Sequence, residues 1–323
     1  MRFKKLVINI TDLCTTECTV CMYGCSPVRC YTIDKDIVKD ILNQTQRLKM
    51  IKTVVLSGGE AFTDLLLLKE LIAYASDRQF SVLCGTNAFW CNDYNDTYCV
   101  LTELKDAGLT ELMVSMDLYH QRAVPLSNIR NVLEALKNLR LKSQLNLVID
   151  KMSSEASFSM LSQIADVAID SDIHFLSTLP HKERGPAFPR KCCFVNKTKE
   201  QLKCSLTDGL LIHYTGEVYA CPHHVLAGNG RLSLGSIYDH PIDELIRRAE
   251  EHPYTNFVLA NGLSAVVDLL DEENYPFREK YVDGCDLCID LMANDDQFCA
   301  IQEKIFEKDV RLRRFVKIQQ QMR

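Results

Sequence analysis

The chain has no stretch of the roughly 18 to 20 apolar residues that a membrane helix requires, so no membrane span is expected. It opens on a basic Met1-Arg2-Phe3-Lys4-Lys5, but the apolar run that follows, Leu6 to Ile10, is far too short for a secretory signal. An excess of positive charge is missing as well: 37 Lys and Arg against 43 Asp and Glu leave a net charge of −6. Such a chain carries no general field that would gather nucleic acid or anionic lipid, so neither is expected as a partner. No low-complexity segment, long charge run or internal repeat interrupts it. These absences point to a cytoplasmic protein of ordinary globular composition, with 47% apolar and 25% charged residues. Its 323 residues suit one large domain, alone or with a smaller appendage.

Cysteine is the residue in excess, with fifteen. An odd number, two Cys-x-x-Cys pairs and no export signal argue against a disulfide framework. In a reducing compartment, clustered cysteines serve as thiolate ligands to zinc or iron–sulfur.

Periodicity divides the first part of the chain into strands and helices in alternation. Strands are expected at Lys5–Ile10, Thr53–Leu56, Phe80–Cys84, Leu112–Ser115, Gln144–Ile149 and His174–Ser177. Between them, helices are expected at Asp34–Lys49, Asp64–Ser76, Asn95–Ala107, Asn128–Leu139 and Phe158–Ile169. This alternation implies an α/β fold with parallel pairing through right-handed crossovers. Parallel sheets present their chemistry at the carboxyl ends of the strands, and Cys14, Gly58-Gly59-Glu60, Thr86-Asn87, Ser115, Asp117 and Pro180 fall there. Past about Pro189 the alternation stops. A hairpin is expected from Leu210–His213 and Val218–Ala220 around Thr215-Gly216, a helix from Pro241 to Glu250, and a mainly helical tail from Asp296 to Arg323.

Cys14, Cys18 and Cys21 have the spacing Cys-x3-Cys-x2-Cys in the loop after the first strand. Three thiolates packed so closely can hold three irons of a [4Fe–4S] cube and leave the fourth open, which is how a catalytic site differs from a closed structural one. A structural zinc knuckle completed from elsewhere is the alternative. Further along, Cys204 and Cys221 on the hairpin and Cys285-x-x-Cys288 can come together as a closed tetrahedral set, for zinc or for a second cluster.

The first triplet resembles the signature of the radical SAM superfamily, and the likeness continues in order along the chain. It implies a partial (β/α)6 TIM-like barrel over residues 1–190, with S-adenosylmethionine bound at the open iron of the first cluster. Ser57-Gly58-Gly59-Glu60 resembles the family's Gly-Gly-Glu motif, which implies that Gly58, Gly59 and Glu60 receive the methionine amino group. Asn87, Ser115 and Asp117 resemble strand-end residues that contact the ribose, the methionine portion or the substrate. Leu179-Pro180 and Arg184-Gly185-Pro186-Ala187 resemble a segment that places Pro180 near adenine and Arg184 in the following turn. The later cysteines resemble the twitch domain, a half-length SPASM relative, which implies a small cysteine-rich α+β domain at 191–295, one auxiliary [4Fe–4S] cluster on Cys204, Cys221, Cys285 and Cys288, and a helical tail at 296–323.

Of the remaining cysteines, Cys25, Cys192 and Cys193 are candidates for hydrogen donation to a substrate radical, and His120 for proton donation or substrate contact; most of the other cysteines read as small buried hydrophobes. The resemblance extends to radical enzymes that modify ribosomally made peptides, among them epimerases with a similar Cys-Ser-Pro after the triplet, here Cys25-Ser26-Pro27. It implies epimerisation or crosslinking of such a peptide, with a one-electron reductant such as flavodoxin or ferredoxin. This chain departs from the epimerases at Cys221-Pro222-His223-His224, where no second cysteine is adjacent, and it leaves no room before Cys14 for a separate peptide-recognition domain. Radical dehydrogenation, dehydration or rearrangement of a small molecule is the alternative reaction class. A cluster- or zinc-binding sensor is the non-enzymatic one.

Overall fold

Six short apolar runs, five of them followed by an amphipathic segment, call for a parallel sheet joined by crossover helices. The computed structural model shows this arrangement and describes residues 3–177, 179, 189–204, 208–222, 230–271, 275–293 and 295–308. Strands β1 (Lys5–Thr11), β2 (Thr53–Gly58), β3 (Ser81–Thr86), β4 (Leu109–Ser115), β5 (Lys142–Ile149) and β6 (Asp172–Ser177) alternate with helices α1 (Lys35–Arg47), α2 (Leu65–Ser76), α3 (Tyr94–Asp106), α4 (Leu126–Leu139), α5 (Ser154–Gln163) and α6 (Ala165–Ala168). All five pairings from β1 to β6 are parallel and join strands consecutive in sequence. Every strand of this set therefore ends at the same edge of the sheet.

Helices α1, α2 and α3 begin where an aspartate side chain satisfies their first N–H groups. Asp34 accepts from Asp36 N, Asp64 from Leu67 N, and Asp93 from both Asn95 N and Asp96 N. Helices α1 and α2 turn a stripe of apolar residues inward, Val38, Ile41 and Leu42 of α1 and Leu68, Leu71 and Ile72 of α2. Burial of each such side chain contributes about 1.5 to 3 kcal/mol. One expected helix differs: the segment 158–169 is broken at Ile164, whose dihedrals leave the helical region (φ −119°, ψ 14°). That break lets Ile164, Val167 and Ala168 all join the core.

After residue 190 the chain first returns to the main sheet. The expected hairpin is β7 (Gly209–Ile212) and β8 (Glu217–Tyr219), with Gly216 at φ +87° in its turn. β7 also pairs in parallel with β1, and β9 (Ser233–Ser236) follows β8, so the sheet has nine strands in the order β6-β5-β4-β3-β2-β1-β7-β8-β9. Helix α7 (Ile242–Glu251) packs its buried face on the same core. The helices α8 (Pro253–Asn261), α9 (Leu263–Asp271), α10 (Gly284–Leu291) and α11 (Asp295–Lys308) then build a second core around Tyr254, Tyr281 and Leu287. Sequence periodicity reveals neither β9 nor α8 to α10 as separate elements. Among the described residues, no helix is long and apolar enough to cross a membrane.

Candidate active site and thiol groups

The loop after β1 carries Cys14, Cys18, Cys21 and Cys25, and backbone contacts hold it against the end of β2. Cys14 N donates to Ser26 O (3.2 Å), Ser26 N to Asp12 O (3.3 Å), and Tyr31 N to Asp12 Oδ1 (2.8 Å), so the loop is closed on itself. Gly59 N donates to Thr11 O (2.7 Å) and Glu60 N to Leu13 O (2.8 Å). A Cβ on Gly58 would stand 2.4 Å from Thr11 O, and one on Gly59 would stand 2.1 Å from Leu13 O. No side chain fits in either place. The paired glycines therefore admit the backbone that leads into Cys14.

Within the loop, Thr16 Oγ1 lies 3.4 Å from the sulfurs of both Cys14 and Cys18, and Cys21 N donates to Cys18 O (3.1 Å). Asn87 Nδ2 approaches Cys14 Sγ at 3.8 Å and Thr15 Oγ1 at 3.2 Å. Cys25 is buried against Cys21, and its contact with that thiol together with burial pushes its own pKa up. Among the described residues, no three His, Cys, Asp or Glu side chains converge to hold a single metal ion. A cube needs something different, one thiolate per iron rather than several on one ion, and three thiols on one tight loop at a cavity wall suit that donor set.

Glu60 is 1% exposed and is the polar centre of the adjoining wall. Its carboxylate accepts from Asn87 N (2.7 Å), Thr86 Oγ1 (2.9 Å) and Phe62 N (3.3 Å). Burial raises its pKa to about 7, against the lowering effect of those bonds. A buried acid near neutrality is suited to receive a cationic group, which would repay its desolvation.

At the end of β4, Asp117 is fully buried and accepts from Tyr119 N (2.9 Å), His120 N (3.1 Å), Val148 N (3.2 Å) and His120 Nδ1 (2.9 Å). Burial alone would lower the His120 pKa, but the bonds to Asp117 and to Cys18 carry it well above its ordinary value. Asp117 thus acts on its neighbours within the protein, while His120 reaches the cavity. Tyr119 in turn hydrogen-bonds Asp150, which is itself fully buried.

The second group of thiols gathers where α10 meets α8. Asp283 caps α10 through Cys285 N (2.9 Å) and Asp286 N (3.1 Å), so Cys285 sits in the first turn and Cys288 one turn further. Cys204 and Cys221 interact electrostatically with both, and burial pushes Cys285 up and Cys288 up to about 12. Tyr254 Oη lies 3.0 Å from Cys288 Sγ. Asp286, 2% exposed, is bound at both oxygens by Arg190 (2.7 Å each), which ties α10 to the turn that carries Cys192 and Cys193.

One cavity of about 660 Å³ unites these pieces: Cys14, Cys18, Cys21, Cys25, Gly58, Gly59, Glu60, Asn87, Ser115 and His120 line it, and so do Cys204 and Cys285 from the second group. Cys192 and Cys193 are buried but are not among its lining residues; Cys193 packs with Leu179 and Val282. Pro180 and Arg184 lie outside the described residues. Sequence reading missed Thr16, Tyr23, Asn146, Lys203 and Asp283 in the wall, and Tyr254 behind Cys288. Asn146, in the middle of β5, lies directly across the sheet from Ser115; Tyr254, separated from Cys288 by 34 residues, gave no local signal.

Residues 8–150 match the family model described as the radical SAM superfamily. The chain is 21% identical over 319 residues to the putative peptide biosynthesis protein YydG of Bacillus subtilis (strain 168), covering 96% of this chain and 99% of that one. Its fold is similar to that of anSMEcpe with bound AdoMet and Cp18Cys peptide, with a TM-score of 0.56 at 12% identity and 99% of each chain covered. It is also similar to Streptococcus suis SuiB bound to precursor peptide SuiA, with a TM-score of 0.57 at 13% identity, over 88% of this chain and 76% of that one.

Proposed function

We propose that this chain, a radical SAM superfamily enzyme with the partial-barrel fold of that family, abstracts hydrogen from a peptide substrate. The family implies S-adenosylmethionine and a [4Fe–4S] cluster. The observation that carries the reading is the single cavity onto which the first thiol triplet, Glu60 and two thiols of the second group all open. Bound there, the reduced cluster and S-adenosylmethionine would supply a 5′-deoxyadenosyl radical.

In this reading Cys14, Cys18 and Cys21 hold the first cluster, and Gly58, Gly59 and Glu60 receive the methionine amino group. Asn87 and Ser115 contact the rest of the cofactor, while Asp117 orients His120 beside them. Cys204, Cys221, Cys285 and Cys288 hold one auxiliary cluster. Cys25 and His120 are the donor candidates favoured by position, since both line the cavity, ahead of Cys192 and Cys193. We keep residues 1–190, 191–295 and 296–323 as core, cluster module and tail, with the module's hairpin added to the core sheet. A flavodoxin- or ferredoxin-type protein supplies the electron, in the cytoplasm.

Two lines support a peptide. YydG carries its name as a peptide biosynthesis protein, and β6 is an edge strand exposed along its whole length. Phe175, Leu176 and Ser177 of that strand line the cavity. An extended peptide can add to such an edge through main-chain hydrogen bonds and so bring an α-carbon to the strand ends.

The test is formation of 5′-deoxyadenosine from S-adenosylmethionine and a strong reductant by the reconstituted protein, together with iron content and EPR. About eight irons per chain, one signal altered by S-adenosylmethionine, and no product from Cys18→Ala are expected. Product from Cys18→Ala would remove the first-cluster assignment. Solvent deuterium in the product would specify epimerisation, and a product two hydrogens poorer would specify oxidation.

A further inference from the structure

The second thiol group has an unequal environment. Tyr254, 2% exposed on α8, brings its hydroxyl to 3.0 Å from Cys288 Sγ. Its ring is held by the second core and packs on Phe298 with centroids 5.4 Å apart, so the hydroxyl cannot swing away to solvent.

We propose that Tyr254 is a positioning residue for the auxiliary cluster: its hydroxyl donates a hydrogen bond to the Cys288 sulfur and thereby raises the reduction potential of that cluster. The inference rests on the reading of Cys204, Cys221, Cys285 and Cys288 as ligands of an iron–sulfur cluster. A cysteine bound to iron is a thiolate and carries no proton, so the tyrosine must be the donor. The bond is stronger to the more electron-rich sulfur of the reduced cluster, and hydrogen bonds to sulfur are among the determinants of cluster potential. The hydroxyl therefore stabilises the reduced form more than the oxidised one. An auxiliary cluster that is easier to reduce is a better acceptor for an electron arriving from the cavity that Cys204 and Cys285 line.

Tyr254→Phe removes the donor and keeps the ring. The experiment is a potentiometric EPR titration of the reconstituted full chain and of this variant, following the signal that S-adenosylmethionine does not alter. The variant should keep its iron, and its reduction equilibrium should move about tenfold toward the oxidised form, which is about 59 mV for a one-electron couple. The signal that S-adenosylmethionine alters should keep its midpoint. Two clusters with an equilibrium unchanged within about twofold in the variant would overturn the inference and leave the auxiliary cluster standing. A wild-type chain with about four irons and no second signal would overturn the auxiliary-cluster reading, and this inference with it. If Tyr254→Phe does not retain iron, a fluorinated tyrosine at the same position keeps the ring and strengthens the donor. The midpoint should then rise, and an unchanged or lower midpoint would overturn the inference.

Discussion

The buried carboxyl of Glu60 makes stability depend on pH in a direction opposite to that of most surface acids. The gap between about 7 in the folded chain and the ordinary 4.5 when unfolded is worth about 3 kcal/mol. The folded state binds this proton more tightly than the unfolded one. The carboxyl therefore costs nothing below pH 4.5, its cost grows from there to pH 7, and it is complete above. Glu60→Gln has no such dependence. It carries a cost of its own if its amide turns a donor toward the Asn87 N–H that Glu60 accepts, but that cost is constant with pH. The quantity to measure is the difference in unfolding free energy between the two proteins, by urea denaturation of the cluster-free chain in strong reductant. From pH 4.5 to 8 the Gln variant should gain about 3 kcal/mol on the wild type. A difference constant within about 0.5 kcal/mol would refute a buried acid with a raised pKa. On the reading that an ammonium group occupies this site, S-adenosylmethionine affinity of the loaded protein should fall about tenfold per pH unit below 7, and flat binding over that range would remove Glu60 from the contact.

Two further substitutions separate the two thiol groups. In Gly59→Ala the new Cβ would meet Leu13 O at 2.1 Å and break the Glu60 N–H bond to it; a cost of about 2 to 3 kcal/mol and loss of about four irons are expected, and full iron content would refute the packing argument. Arg190→Ala strips two hydrogen bonds from Asp286, which is 2% exposed, leaving the Val282 N–H at 2.9 Å and Arg278 at 3.2 Å. It should cost about 2 to 3 kcal/mol and loosen α10; on the reading that Cys204, Cys221, Cys285 and Cys288 hold a cluster, iron should be lost from that group while the signal altered by S-adenosylmethionine persists. Unchanged iron and stability would show that α10 does not depend on Arg190.

The strand–helix alternation was legible because each run carries its own period: the strands read as short apolar or alternating runs, and the crossover helices repeat every 3.6. The cysteine triplet and the Gly-Gly-Glu turn were legible for the same reason, since their chemistry is local spacing. Helices α8 to α10 were not, because their apolar residues face a core made only when distant segments meet. Nor was it visible that β7 would lie against β1, since pairing partners two hundred residues apart leave no trace in either strand.

The sequence by itself thus determined the parallel sheet, the edge at which its chemistry collects, and the first set of thiols. The tertiary structure decided that the glycines make room for backbone, that Asp117 spends its oxygens on His120 and its neighbours, and that Cys204 and Cys285 open on the same cavity as Cys14. It also decided that Tyr254 stands behind Cys288. The physical reason is range: periodicity and spacing act over a few residues, whereas a carboxyl's burial, a sulfur's hydrogen bond and a shared cavity depend on which segments fold next to one another.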